Sequence, residues 1–68
     1  MTDQLNSSLK EKRTQAGLTQ AELAEMCGVT RKTVNTVENG VFIPSTLLAL
    51  KMARALEIRV EELFWLEV

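Results

Sequence analysis

At 68 residues, 46% of them apolar and with a formal net charge of −1, the chain has room for one globular domain. Its composition is neither that of a disordered segment nor strongly basic. The lone Cys27 excludes an internal disulfide, no apolar run approaches the ~20 residues of a membrane span, and the opening MTDQLNSSL lacks the apolar stretch of a secretory leader; a reducing cytoplasm is the expected setting.

The chain reads as all-α, with five helical segments and short breaks. The first is predicted from about Asp3 to Gln15, with Leu5 and Leu9 at i,i+4 on one face and Gly17 as its stop. The second starts at Thr19, where Thr-Gln-Ala-Glu forms a capping box: the Thr19 hydroxyl accepts from the Glu22 amide and the Glu22 carboxylate reaches back. It turns Leu23, Ala24 and Cys27 inward and stops at Gly28. Thr30 caps a third helix, Arg31 to Glu38, whose inward residues are Val34 and Val37 at i,i+3. Asn39-Gly40 closes it. After the loop Val41-Phe42-Ile43-Pro44, Ser45 caps a fourth helix to about Leu56, with Leu48, Ala49, Met52, Ala53 and Leu56 inward. A fifth, about Val60 to Trp65, supplies Leu63 and Phe64.

The second and third helices are each too short to persist alone in water, so their separation by Gly28-Val29-Thr30 needs a reason. With Gln20 as the first position of a helix-turn-helix, Leu23 is the fourth, Ala24 the fifth, Gly28 the ninth, Val34 the fifteenth and Val37 the eighteenth. Ala24 must be small because the second helix crosses the first at close range. Gly28 makes the sharp turn, and Leu23, Val34 and Val37 fill the wedge between the helices. Two ordinary core helices with a tight turn would explain the apolar residues but not the small ones at these intervals.

With Val34 and Val37 inward, Arg31, Lys32, Asn35 and Thr36 face outward, and all four hydrogen-bond. Such a helix suits the DNA major groove, where Arg or Lys bridges O6 and N7 of guanine and Asn pairs with adenine. Thr19, Gln20, Thr30 and Asn39 flank that face at helix ends, the natural place for phosphate contacts. The near-zero net charge hides an uneven distribution: Arg31-Lys32 and Lys10, Lys12, Arg13 are basic groups, while Glu57, Glu61, Glu62 and Glu67 gather near the other end.

The stretch GLTQAELAEMCGVTRKTVNTVENG resembles the Cro/repressor (xenobiotic-response-element-type) helix-turn-helix family. VFIPSTLLALKMARALEIRVEELF is similar to the ending of its small single-domain bacterial members. The resemblance covers about Leu5 to Phe64. It implies a five-helix, lambda-repressor-like DNA-binding domain, usually dimeric on a pseudo-palindromic operator. By position, Arg31, Lys32 and Thr36 would face bases and Gln20 and Asn39 would hold phosphates. The family's ion pair falls on Arg13 and Glu38. Three residues depart from the pattern: Val41 replaces a frequent basic residue, Glu57 a common glycine stop and Arg59 a common hydroxyl cap, so the last helix should start poorly capped.

Catalysis has little to work with: no histidine, no tyrosine, one aspartate, one cysteine placed for burial, no metal-ligand spacing and no glycine-rich phosphate loop. Glu61-Glu62 reads as a solvated first-turn pair favoured by the helix dipole. No cofactor, metal or small-molecule effector is expected. The expectation is a non-enzymatic DNA-binding regulator, acting as a repressor and as a homodimer joined through Phe64, Trp65, Leu66 and Val68, which are more apolar than one small core requires. The rival reading is an antitoxin-like or anti-regulator module using the same fold to hold a protein.

Overall fold

The two ends of the chain meet in a two-stranded antiparallel sheet, which the all-α expectation did not contain. In the computed structural model, which describes residues 3–67, the order is β1 (Gln4–Ser7), α1 (Leu9–Gln15), α2 (Gln20–Cys27), α3 (Arg31–Glu38), α4 (Thr46–Leu56), α5 (Val60–Leu63) and β2 (Phe64–Glu67). The register pairs Gln4 with Glu67, Leu5 with Leu66, Asn6 with Trp65 and Ser7 with Phe64.

The first helix is therefore shorter than the Leu5–Leu9 spacing suggested. Two serines end the strand and start the helix: the Ser7 hydroxyl accepts from the Leu9 amide at 3.0 Å, while Ser8 donates its hydroxyl to the Glu62 carbonyl at 2.8 Å and its amide to the Leu63 carbonyl at 3.0 Å. The fifth helix is also shortened, from Trp65 back to Leu63, because Phe-Trp-Leu favours the pleated conformation once β1 lies beside it.

The middle helices begin and end where their caps dictate. The Thr19 box is complete, with Glu22 N to Thr19 Oγ1 at 3.0 Å and Thr19 N to Glu22 Oε1 at 2.8 Å. Ser45 Oγ accepts from the Leu48 amide at 3.1 Å at the start of α4. Glu57 ends α4 in the left-handed region, φ 56°, where a glycine is more at ease, and Arg59 opens α5 without a side-chain cap bond, as the departures from the family pattern implied.

All five helices contribute to one core of Leu9, Leu23, Ala24, Cys27, Val34, Val37, Leu48, Met52, Ala53, Leu56 and Leu63. Each large aliphatic removed from water there contributes about 1.5–3 kcal/mol. Ala49 and Phe64, expected inward, are only half-buried. Among the described residues no helix is long and apolar enough to cross a membrane.

Candidate nucleic-acid interface

The α2–α3 unit is built from a turn, a wedge and an outward face. Gly28 caps α2 at φ 70° and ψ 30°, and its amide and that of Val29 return to carbonyls of the last turn of α2. The chain then leaves in an extended Thr30, whose hydroxyl accepts from the Thr33 amide at 3.3 Å and starts α3 in a new direction. Leu23 and Val34 are fully buried, and Ala24 and Val37 are 2% exposed. The wedge residues read from the sequence are thus all members of the one buried core.

Burial of Val34 and Val37 fixes the roll of α3. At about 100° per residue, Lys32, Asn35, Thr36 and Asn39 lie opposite the buried stripe and Arg31 beside them. Arg31, Lys32 and Asn39 are exposed, whereas Asn35 and Thr36 are half-buried. Two of these side chains are already engaged. Asn39 donates its Nδ2 to Asn35 Oδ1 at 3.1 Å, joining an expected phosphate ligand to an expected base reader. Thr36 donates its hydroxyl to the Thr33 carbonyl at 2.9 Å, keeping acceptor lone pairs and its methyl group for contact.

Arg13 and Glu38 form the ion pair implied by the family pattern. Arg13 Nε lies 2.5 Å from Glu38 Oε2, and the side chains are 13% and 2% exposed. Arg13 also donates Nη1 to the Leu18 carbonyl at 2.8 Å, tying α1 to the loop before α2. Gln20 joins the same carboxylate, donating Nε2 to Glu38 Oε1 at 2.9 Å. Sequence reasoning missed this bond because its partners are 18 residues apart and no local spacing links them. The result is a polar clamp fastening the end of α3 to the start of α2. Among the described residues no buried side-chain nitrogen or oxygen is left without a partner.

Of the proposed association residues, Phe64, Trp65 and Leu66 do not share one face. Strand alternation turns Phe64 and Leu66 to the side of Leu5, while Trp65 turns to the side of Asn6 and Glu67. Val68 lies outside the described residues. The Leu5–Phe64 side opens onto an apolar groove that also includes Ile43, Leu50 and Val60. Cys27 is buried under α4, and burial pushes its thiol up from the ordinary range against the opposing pull of Lys51 and Arg54.

A capped helix, a left-handed glycine turn and a second helix with a buried valine pair and a cationic outer face define a helix-turn-helix domain. The helix-turn-helix family model matches residues 9–63, and the chain belongs to this family in its Cro/repressor-type form. It is similar to the uncharacterized HTH-type transcriptional regulator YgzD of Bacillus subtilis, with 44% identity over 63 residues, 93% of this chain and 96% of that protein. An uncharacterized HTH-type transcriptional regulator of Methanothermobacter thermautotrophicus is 44% identical over 64 residues, 93% of each chain. Among solved structures, the restriction-modification controller protein C.AhdI from Aeromonas hydrophila superposes with a TM-score of 0.76 at 42% identity, covering 79% of this chain and 78% of that one. Membership in this family implies DNA binding and transcriptional regulation.

Proposed function

We propose that the protein is a sequence-specific double-stranded DNA-binding repressor that inserts α3 into the major groove, as a homodimer on a pseudo-palindromic operator. The observation that supports this most is the fixed roll of α3: Val34 and Val37 are buried, so Arg31, Lys32, Asn35 and Thr36 are presented together. Arg31 and Lys32 read guanine edges, Asn35 reads adenine, and Thr36 offers a methyl group to thymine. Thr19, Gln20, Thr30 and Asn39 sit at the ends of α2 and α3 and hold the phosphates on either side. A single short helix reads too few base pairs for a unique address. A two-fold pair with half-sites about 34 Å apart multiplies the discrimination.

Selection of bound sequences from a random DNA pool, followed by titration at several salt concentrations, tests the reading. The expected result is an inverted-repeat consensus and an affinity that falls steeply with salt. A pool that yields no consensus, with no salt-dependent binding, rejects it in favour of a protein-binding module.

A further inference from the structure

The bond between Gln20 and Glu38 gives the clamp a role that an ion pair alone does not need. Glu38 receives Arg13 Nε on Oε2, and both Arg13 Nη2, at 3.3 Å, and Gln20 Nε2, at 2.9 Å, on Oε1. An ionised carboxylate accepts hydrogen bonds and cannot donate them. It therefore selects one of the two orientations of the Gln20 amide, nitrogen inward. One N–H is bound to Glu38, and the second N–H points away from it on a side chain that remains partly exposed. Gln20 is the first residue of α2, and its neighbour Thr19 spends its own amide and a hydroxyl lone pair on the capping box. The Gln20 side chain is thus a donor aimed and held before any ligand arrives.

We propose that Glu38 is a positioning residue for DNA binding, acting through Gln20. It holds the amide so that the second N–H meets a backbone phosphate without a loss of rotamer freedom on binding. Arg13 holds that carboxylate in place through two hydrogen bonds, so a residue on α1 governs a phosphate contact made from α2. This rests on the reading of Gln20 as a phosphate ligand.

A mutant cycle on a random-sequence duplex at low salt tests it, because phosphate contacts do not depend on base sequence. The four proteins are the native chain, Gln20→Ala, the paired Arg13→Met with Glu38→Leu, and all three changes together, each checked for folding by circular dichroism. In the native background Gln20→Ala should weaken binding roughly tenfold, the loss of one charge-assisted hydrogen bond. In the Arg13→Met/Glu38→Leu background the same change should cost less than about twofold, because the amide is no longer aimed. Equal losses in both backgrounds overturn the coupling and leave Glu38 purely structural. No loss in either removes Gln20 from the phosphate contacts and the proposal with it, while the selection experiment above still decides whether the protein reads DNA. If the paired variant does not fold, the native protein alone decides the matter by nuclear magnetic resonance. One of the two Gln20 side-chain amide protons should be shifted downfield and slow to exchange with water before DNA is added. Two side-chain amide protons with the shifts and exchange rates of those of exposed Gln4 overturn the proposal.

Discussion

Leu5 and Leu66 stand opposite each other in the antiparallel register of the terminal strands, on the same side of the sheet as Phe64. Trp65, one residue earlier than Leu66, stands opposite Asn6 on the other side, where Asn6 Nδ2 also donates to Glu67 Oε1 at 3.1 Å. One side is therefore apolar and continuous with Ile43 and Leu50, which are 72% and 51% exposed, and the other carries a single aromatic among polar groups.

For a homodimer that buries the apolar side, Leu66→Glu should act once in each copy. Losing two buried leucines and placing two charges there should weaken association by about 3 kcal/mol or more, roughly 100-fold in dissociation constant. Trp65→Glu should leave the dimer nearly intact. Sedimentation at micromolar concentration separates the two variants. A dimer that survives Leu66→Glu and dissociates with Trp65→Glu would move the interface to the opposite side of the sheet.

Arg31 and Lys32 are exposed and outside the clamp, so their removal should separate binding from folding. Arg31→Ala and Lys32→Ala should each change stability by no more than about 0.5 kcal/mol. Each should weaken specific DNA binding by about 1–3 kcal/mol if the contact is to a base. Thermal melts and titrations of the selected operator provide the two measurements. Unchanged operator affinity in both variants removes these residues from the readout.

How much of this was legible in the residues depends on the range of the interaction. The starts of α2, α3 and α4 were readable because Thr19, Thr30 and Ser45 each bond an amide three residues on, so signal and consequence lie side by side. The turn and the wedge were readable because Gly28 at the turn, Ala24 at the crossing and Leu23, Val34 and Val37 in the core keep a fixed spacing imposed by one helix crossing. The terminal sheet was not, since Asn6 and Glu67 are 61 positions apart and Gln-Leu-Asn-Ser carries no alternation strong enough to announce a strand. The Leu5–Leu9 spacing mimicked one helical face, although Leu5 serves the sheet and Leu9 the core. The Gln20–Glu38 bond was hidden for the same reason of distance, while the Arg13–Glu38 pair came through family resemblance.

Gly28 tests whether the turn is a matter of backbone conformation or of space. Beyond Gly28 and its two chain neighbours, no heavy atom lies within 4 Å of where a β-carbon would stand, so a side chain meets no obstacle from the rest of the fold, and only the φ of 70° resists it. Gly28→Val should destabilise by about 1–3 kcal/mol, the range for a non-glycine residue held in a sparsely populated region. Gly28→Asn should be milder, since asparagine tolerates the left-handed region. Ala24→Leu should cost about 1–3 kcal/mol for the opposite reason, overpacking at the helix crossing. Equal melting temperatures for native protein and Gly28→Val would mean that the turn does not require its left-handed residue.

Breaking the clamp from one side should be more damaging than replacing it. Glu38→Ala leaves the Arg13 guanidinium, 13% exposed, without its carboxylate, and such half-pairs typically cost about 3–5 kcal/mol. For a domain of this size that approaches the whole of its stability. Arg13→Met with Glu38→Leu removes both charges together and should lie much nearer the native chain in chemical denaturation. A double replacement as damaging as Glu38→Ala would show that the clamp's geometry, rather than the stranded charge, carries the effect.

Cys27 offers a reading of folding and of pH from one atom. It is 2% exposed, and its thiol is pushed above the ordinary range first by burial, with Lys51 and Arg54 pulling the other way. Thiolates rather than thiols react with alkylating agents, so native Cys27 should be modified much more slowly than in denaturant, at a rate set by opening of the fold. The same shift has a sign for stability. In the unfolded chain the thiol ionises near its ordinary value of about 8.5, while in the fold it stays protonated to higher pH. Its contribution is therefore complete below about pH 8.5 and is lost as pH rises through the folded value, because only the unfolded state gains from releasing the proton. Cys27→Ala should flatten that alkaline decline in stability while lowering stability at neutral pH through lost packing beneath α4. An alkaline decline of unchanged slope in Cys27→Ala, after correction for its lower starting point, would assign the pH dependence to other groups.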